Sequence, residues 1–341
     1  MELMLDCLFI AKVIERTTKP SHNTVSIVYK DGQLRYYKWT GGKTVVVQVG
    51  DQVDRCRRYD DPNTGDTVQC DEPRATYDDE SSDEKILVFM SDLDRLARKY
   101  NGAVYSLLGN HELMNTIGNM NYVSYLGLKE YSKTDKVDAK GRTEYFKRGS
   151  DISRFIACTR PAVMIIGSYM FVHAGFLEHV VKIFSGMNRT ETLDNLNMIY
   201  NAWIINEKHK IKNIDNPSNF VLSTTSPLLA RGVGALPTGL SKEDLKCEPF
   251  NYVLDFFAIK GMVVGHTPQL KTGINSTCGN SLFRVDVASS RAFNKLFPHQ
   301  NGNDTDDHNY EVQKSRRPQV LEILRDKEMY VLDKDSRTKL T

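Results

Sequence analysis

The stretch "VVVQVGDQVDRCRRYDD", residues 45–61, joins a β-branched run to a knot of charge. Val45-Val46-Val47-Gln48-Val49 reads as a fully buried strand, yet it stops at Gly50 and is followed at once by Asp51, Asp54 and Arg55. Taken alone, such a cluster is a solvated surface. Three further stretches repeat the pattern. "AVYSLLGNHELM" runs a strand into Gly109-Asn110-His111-Glu112, "SYMFVHAGF" into His173-Ala174-Gly175, and "GMVVGHTPQ" into Gly265-His266-Thr267. Each time an apolar strand ends at a metal-competent side chain beside glycine, which lets the backbone turn sharply and approach closely. Ligands gather at the C-terminal ends of strands in α/β proteins.

These residue types share a chemistry. The Asp51 carboxylate can be shared between two cations, an arrangement suited to in-line attack on phosphorus. Asn110 offers an amide oxygen, and His173 and His266 offer imidazole nitrogens. That mixed set suits manganese, iron or zinc better than magnesium or calcium. His111 points out of its turn in another direction, placed to protonate a leaving oxygen. Asp54 can accept from its other ring nitrogen and fix the tautomer. Arg55 offers a planar fork to phosphate oxygens. His173 and His266 could each be a satisfied core histidine if they stood alone; the four stretches together favour ligands.

The bulk composition bounds the alternatives. The chain has 341 residues, 40% hydrophobic and 26% charged, enough for a core that needs no disulfide or metal staple. Its 45 Lys and Arg against 43 Asp and Glu argue against a nucleic-acid coat and against electrostatic membrane binding. Six scattered cysteines fit neither a zinc ribbon nor a secreted disulfide scaffold. Cys56 and Cys70 bracket one loop and could pair if oxidised, but reduced thiols are expected. The start, "MELMLDCLFIAKVIERTTK", carries Glu2 and Asp6 and lacks a basic leader, and no apolar run is long enough to span a bilayer. The expectation is a soluble cytoplasmic protein.

Along the chain, residues 3–14 predict a helix, and a polar connector follows in which Asp31-Gly32 marks a hairpin turn. Residues 86–97 predict an amphipathic helix, and 177–207 and 242–259 further helices. Strands are predicted at 103–108, 163–166, 169–173, 262–264, 282–287, 320–324 and 329–332. Three insertions are expected. Residues 56–85 read as a solvated acidic loop rather than a lid, 131–150 as a Lys- and Arg-rich loop that gates the site or is plain surface, and 299–318 as a polar loop. Residues 1–332 form one domain, and 333–341 a frayed tail. Asp286 reads equally as pocket-shaping or as structural.

GDQVDR, GNHE, HAG and GHT, in that order, resemble the calcineurin-like metallophosphoesterases, on their phosphoprotein-phosphatase-type branch. "SPLLARG", 226–232, resembles a segment of the Shewanella-like phosphatases, which implies that Arg231 is a second phosphate-binding arginine. "VDRC", "NYVSYLG" and "RPQVLEIL" further resemble phosphoesterases of some large DNA viruses and protists. The resemblance implies a four-layer α/β/β/α sandwich with a dimetal site. Asp51 would bridge the metals, Asn110, His173 and His266 would hold the second one, and His111 and Asp54 would form the acid dyad. It implies a metal-dependent phosphomonoesterase that acts on a phosphorylated protein (Ser/Thr or Tyr) or small phosphoester through a metal-bridged hydroxide. No cysteine nucleophile is invoked, and the Cys-x5-Arg loop of tyrosine phosphatases is not expected. Dinucleotide polyphosphate hydrolysis and a catalytically dead phosphate- or peptide-binding scaffold are the alternatives. The family's Asp-x-His motif, which supplies the first metal's own ligands and should lie just before the first helix, has no match upstream of that helix or close by, so the sandwich is expected to lack its first strand. A start upstream of Met1 is the favoured explanation.

Overall fold

In the computed structural model of the chain, α1 (Glu2–Ile10) lays Leu5 and Leu8 onto an antiparallel sheet of β1 (Ile14–Thr17), β2 (Val25–Val28) and β3 (Leu34–Trp39), ordered β1-β3-β2. The structure describes residues 1–29, 31–76, 79–211, 214–293 and 316–340. Val25 and Ile27 point inward while Ser26 and Val28 point out, the period-two pattern of a half-buried strand. Gly32 adopts φ +75° in the β2–β3 turn, and the Gln33 amide donates to Asp31 Oδ1 at 2.9 Å, as the Asp-Gly pair predicts. The remainder of the expected connector is corrected to sheet. Tyr37 and Trp39 are buried beneath the helices, and that burial outweighs the polar residues between them.

Next come β4 (Val45–Gln48), a short hairpin of β5 (Tyr59–Asp60) and β6 (Thr67–Val68), α2 (Asp83–Arg98) and β7 (Ala103–Ser106). Leu87, Met90, Leu93, Leu96 and Ala97 form the buried stripe of α2. The helix serves as the crossover between parallel β4 and β7, in register from Val45↔Ala103 to Gln48↔Ser106. The expectation of a fully buried strand is corrected: Val45 is exposed and Val46–Gln48 are half-buried, because among the described residues only β7 pairs with β4.

The chain continues through α3 (Asn110–Thr116), α4 (Tyr125–Lys129), α5 (Lys140–Phe146), α6 (Asp151–Thr159), β8 (Val163–Ile166), β9 (Tyr169–Val172), α7 (Glu178–Ile183), α8 (Arg189–Ile204), α9 (Pro217–Val221), α10 (Glu248–Phe257), β10 (Gly261–Val264), β11 (Asn275–Thr277) and β12 (Leu282–Arg284). A five-stranded sheet results, ordered β11-β12-β10-β9-β8, parallel through β12, β10 and β9 with antiparallel edges. One face packs on the helices through Trp203, Phe250 and Phe257. The other brings Phe171, Val263 and Phe283 against Val47, Val49 and the C-terminal hairpin, β13 (Val320–Leu324) and β14 (Glu328–Leu332). The fold is mixed α/β, its strands hydrogen-bonded into five separate small sheets.

Several expectations change. The predicted helix 177–207 is two helices, broken where Gly186 takes φ +89° and the Asn188 side chain caps α8. The frayed tail is a third strand, β15 (Arg337–Lys339), paired with β14; Asp333 caps the turn, and Arg337 bonds Glu322 at 2.7 Å and stacks on Tyr330. The 131–150 loop contains α5 and buries Arg142 completely. The 56–85 loop is exposed over 62–67, as expected of a solvated loop, but it is also tied down: Cys56 and Cys70 form a disulfide and pack with Val68 and Ala75. A second disulfide joins Cys247 to Cys278, so the expectation of reduced thiols fails for four of the six cysteines. Most of the expected 299–318 loop, with His299 and His308, lies outside the described residues.

Candidate metal centre

The C-terminal ends of β4, β7, β9 and β10 converge; those of β4, β9 and β10 deliver their stretches to one cavity, of about 480 Å³, and that of β7 sets Asn110 and His111 against Asp51 and His173 behind it. Asp51, His173 and His266 place one ligand atom each within 4.8 Å of one another. His173 Nε2 lies 3.3 Å from Asp51 Oδ2 and 2.9 Å from Asn110 Oδ1, so the amide joins the group. The local backbone is forced: Asp51, Asp54 and His266 adopt φ of +58°, +70° and +61°. Left-handed conformations in non-glycine residues carry strain and cluster at functional sites.

Close packing of two turns explains the glycines. A Cβ on Gly50 would sit 2.7 Å from Gly109 Cα and 2.8 Å from His173 Nδ1. The two turns are laced by Glu112, which is completely buried. Its carboxylate accepts from the backbone amides of Asp51 (3.0 Å), Gln52 (2.6 Å) and Gly109 (2.7 Å). Burial, together with the charge of Asp51, pushes its pKa up. Sequence reasoning gave Glu112 no role, although a Glu three residues after the helix-capping position can reach back to that residue's amide, as Glu112 does to Gly109.

The donor set fits a divalent cation in the Mn, Fe or Zn class. His173 donates Nδ1–H to the Val49 carbonyl at 2.7 Å, which leaves Nε2 free to ligate. Burial, with His173 and Arg231 nearby, pushes His266 down to about 3, so it is a neutral ligand at ordinary pH. Burial opposes ionisation of Asp51, but the imidazoles of His173 and His111 hold its carboxyl well below the usual range. Among the described residues this is the one group of three or more such side chains close enough to share an ion.

Beside it stands the dyad. His111 Nδ1 lies 2.9 Å from Asp54 Oδ2, and Nε2 lies 3.9 Å from Asp51 Oδ2. Burial lowers the basicity of His111, but Asp51 and Asp54 outweigh it and the pKa is raised. Asp54 is itself gripped by Asn115 Nδ2 at 2.9 Å and approached by Arg142 at 3.6 Å. Arg142 also bonds Asn115 Oδ1 (2.9 Å), Asp83 (2.7 Å) and the Gly127 carbonyl (3.3 Å). Nothing in its local sequence marked this arginine.

The expected phosphate arginines part company. Arg231 donates to the His266 carbonyl at 3.1 Å and stays exposed beside the metal ligands. Arg55 lines the cavity but is paired with Glu80 at 2.9 Å. Asp286 also lines the cavity and accepts from the Ala288 amide at 2.9 Å. The Cys-x5-Arg exclusion needs correcting: Cys278 and Arg284 do have that spacing. They form no phosphate loop, because Cys278 is bound to Cys247 and Arg284 is spent on Asn275 Oδ1 and the Gly234 carbonyl.

No protein-family model matches the chain. It is 39% identical over 227 residues to an uncharacterized protein of Acanthamoeba polyphaga mimivirus, covering 61% of this chain and 89% of that one. It is 27% identical over 298 residues to Shewanella-like protein phosphatase 2 of Arabidopsis thaliana (74% of this chain, 64% of that one). Shewanella-like protein phosphatase 1 of Plasmodium berghei is 29% identical over 222 residues, 64% of this chain and 57% of its own length. The crystal structure of a cold-active protein tyrosine phosphatase from a psychrophilic Shewanella superposes with a TM-score of 0.61 at 20% identity, over 100% of this chain and 76% of that one. The chain is a distant homologue of the Shewanella-like protein phosphatases, and it spans just under two thirds of the plant relative. No helix among the described residues is long and apolar enough to cross a membrane.

Proposed function

We propose that the chain is a metal-dependent phosphomonoesterase that acts on a phosphorylated protein (Ser/Thr or Tyr) or a small phosphoester, within the four-layer sandwich of its family. The observation that carries this reading is the Asp54–His111 pair, 2.9 Å apart, with Nε2 of the imidazole facing the Asp51–His173–His266 group. Asp51, Asn110, His173 and His266 would hold a divalent cation, and a cation there supplies Lewis acidity toward phosphoryl oxygen and activates water.

The chain's own residues do the rest. Asp54 accepts from Nδ1 and so keeps the acidic proton of His111 on Nε2. As the P–O bond to water forms and the P–O bond to the leaving group breaks, Nε2 gives its proton to the departing oxygen. Arg231, beside His266, would grip the phosphoryl group through its guanidinium fork. Glu112 holds the two turns together and keeps Asp51 and Asn110 at their stations. The one ligand group among the described residues favours a second reading, a phosphate-binding scaffold without turnover.

One experiment separates the two. The chain is loaded with Mn²⁺, its metal content is measured by elemental analysis, and p-nitrophenyl phosphate turnover is followed. Bound metal with turnover, lost by about 10²- to 10⁴-fold in His111→Asn while metal is retained, is expected. Bound metal without turnover supports the scaffold, and unchanged turnover in His111→Asn removes the acid role from His111. His173→Ala is expected to lose the metal.

A further inference from the structure

The cavity that holds Asp51, His173 and His266 is also lined by a guanidinium that the resemblance did not assign. Arg57 donates through Nη1 to the carbonyls of Asp54 (3.1 Å) and Cys56 (2.7 Å). Its head is sandwiched, 5.1 Å from the Tyr122 ring centroid and 5.0 Å from that of Phe293. Tyr122 in turn packs edge-on against His111, and its carbonyl accepts from the Cys56 amide at 3.0 Å. Nη2 is left facing His111 Nε2 at 3.4 Å. Among the described residues no carboxylate pairs with Arg57, in contrast to Arg55, which is paired with Glu80.

Arg57 is always a donor, and its Nη2 bonds His111 Nε2 directly when that nitrogen carries no proton. Arg57 lines the cavity together with Asp51 and His173, so an acceptor seated there in front of the imidazole reaches the same guanidinium. A phosphoester oxygen is such an acceptor, and guanidinium–phosphate hydrogen bonds are among the strong ones. Resting on the phosphoesterase reading above, we propose that Arg57 is a substrate-binding residue which, together with His111, receives the leaving-group oxygen of the phosphoester. Negative charge grows on that oxygen as the bond to phosphorus breaks, so a fixed cation there acts most strongly on poor leaving groups.

The test compares wild type, Arg57→Met, Arg57→Lys and the exposed-surface control Arg58→Ala, all Mn²⁺-loaded, on p-nitrophenyl phosphate and phenyl phosphate. Affinity for inorganic phosphate is measured in parallel by calorimetry. Methionine keeps an apolar stem between Tyr122 and Phe293, so the fold is preserved while the donors are removed. Expected are a loss of about 10²-fold in kcat/KM on phenyl phosphate, a clearly smaller loss on the better leaving group, and partial rescue by lysine. Equal losses on both esters, or none, would overturn the assignment while leaving the phosphoesterase reading standing. A wild type that binds phosphate but turns over neither ester would sink that reading instead, and Arg57 would then be judged by phosphate affinity, which should fall in Arg57→Met and hold in Arg58→Ala. Absence of phosphate binding by the wild type overturns both.

Discussion

A single methyl group at Gly109 would land on the Asp51 backbone nitrogen and carboxylate, and 2.8 Å from the Glu112 carboxylate. Gly109→Ala is therefore expected to push apart the two turns that Glu112 laces together. Metal uptake, measured by elemental analysis, should fall to background. Arg142 is the second decisive residue. Arg142→Met leaves Asp83 and Asp54 without their buried cation, a change expected to destabilise the protein by about 3–5 kcal/mol in urea unfolding. The two differ in how legible they were. Gly109, like Gly50 and Gly265, stands beside a ligand at the end of an apolar run, so three or four consecutive residues announce it. Arg142 acts on residues 27, 59 and 88 positions away, and no local pattern encodes such a partner. The same holds for Arg55 and Arg57: either arginine after Asp54 could have faced the cavity, and the carboxylate of Glu80, 25 residues on, occupies the first.

Elements announced by periodicity came out near their predicted positions, α2 and β8 among them. Those held by distant partners did not. β1 to β3 looked polar because one face only is covered, and β15 looked like a tail because its stability is borrowed from β14. The turn between β13 and β14 shows how such borrowing works. Asp326 there accepts from the Ser168 amide (2.9 Å) and hydroxyl (2.6 Å) and from Lys260 (2.8 Å), stitching the C-terminal hairpin to the β8–β9 turn. The Lys260 bond, with those of Ser168, holds its pKa down to about 2 from the ordinary 3.8. A depressed carboxylate adds stability above its unfolded value and loses it as pH falls through the folded one. Asp326→Asn should therefore lower Tm modestly at neutral pH, since the site is partly exposed, and the gap should close between pH 4 and about pH 2. A gap that persists at pH 2 would show that the stitch is not ionic.

At the scale of the molecule, the three largest apolar clusters among the described residues lie under α1 and α2, beneath the helices that cover the five-stranded sheet, and between that sheet and the C-terminal hairpin. Two disulfides reinforce it at sequence separations of 14 and 31. Loop-closure entropy assigns them upper contributions of about 3 and 4 kcal/mol. Full reduction is expected to shift the urea midpoint markedly, and Cys247→Ser with Cys278→Ser should reproduce the larger share. Composition was a poor guide to these bridges, because no spacing rule pairs cysteines that far apart in an otherwise ordinary chain.

The cavity has one further property. Leu3 and Asp6 of α1 and Gln319 line it together, and Cys7 Sγ donates to the Gln319 carbonyl at 3.9 Å, across 312 residues of chain. Gln319 also receives the Ile274 amide, at 2.8 Å. During vectorial synthesis the Leu5 and Leu8 face of α1 can settle early on β1–β3 and α2, whereas the contact of Cys7 with Gln319 waits until residue 319 has emerged. Folding of the isolated chain should be correspondingly slow, because so distant a closure has to be completed before the pocket has walls.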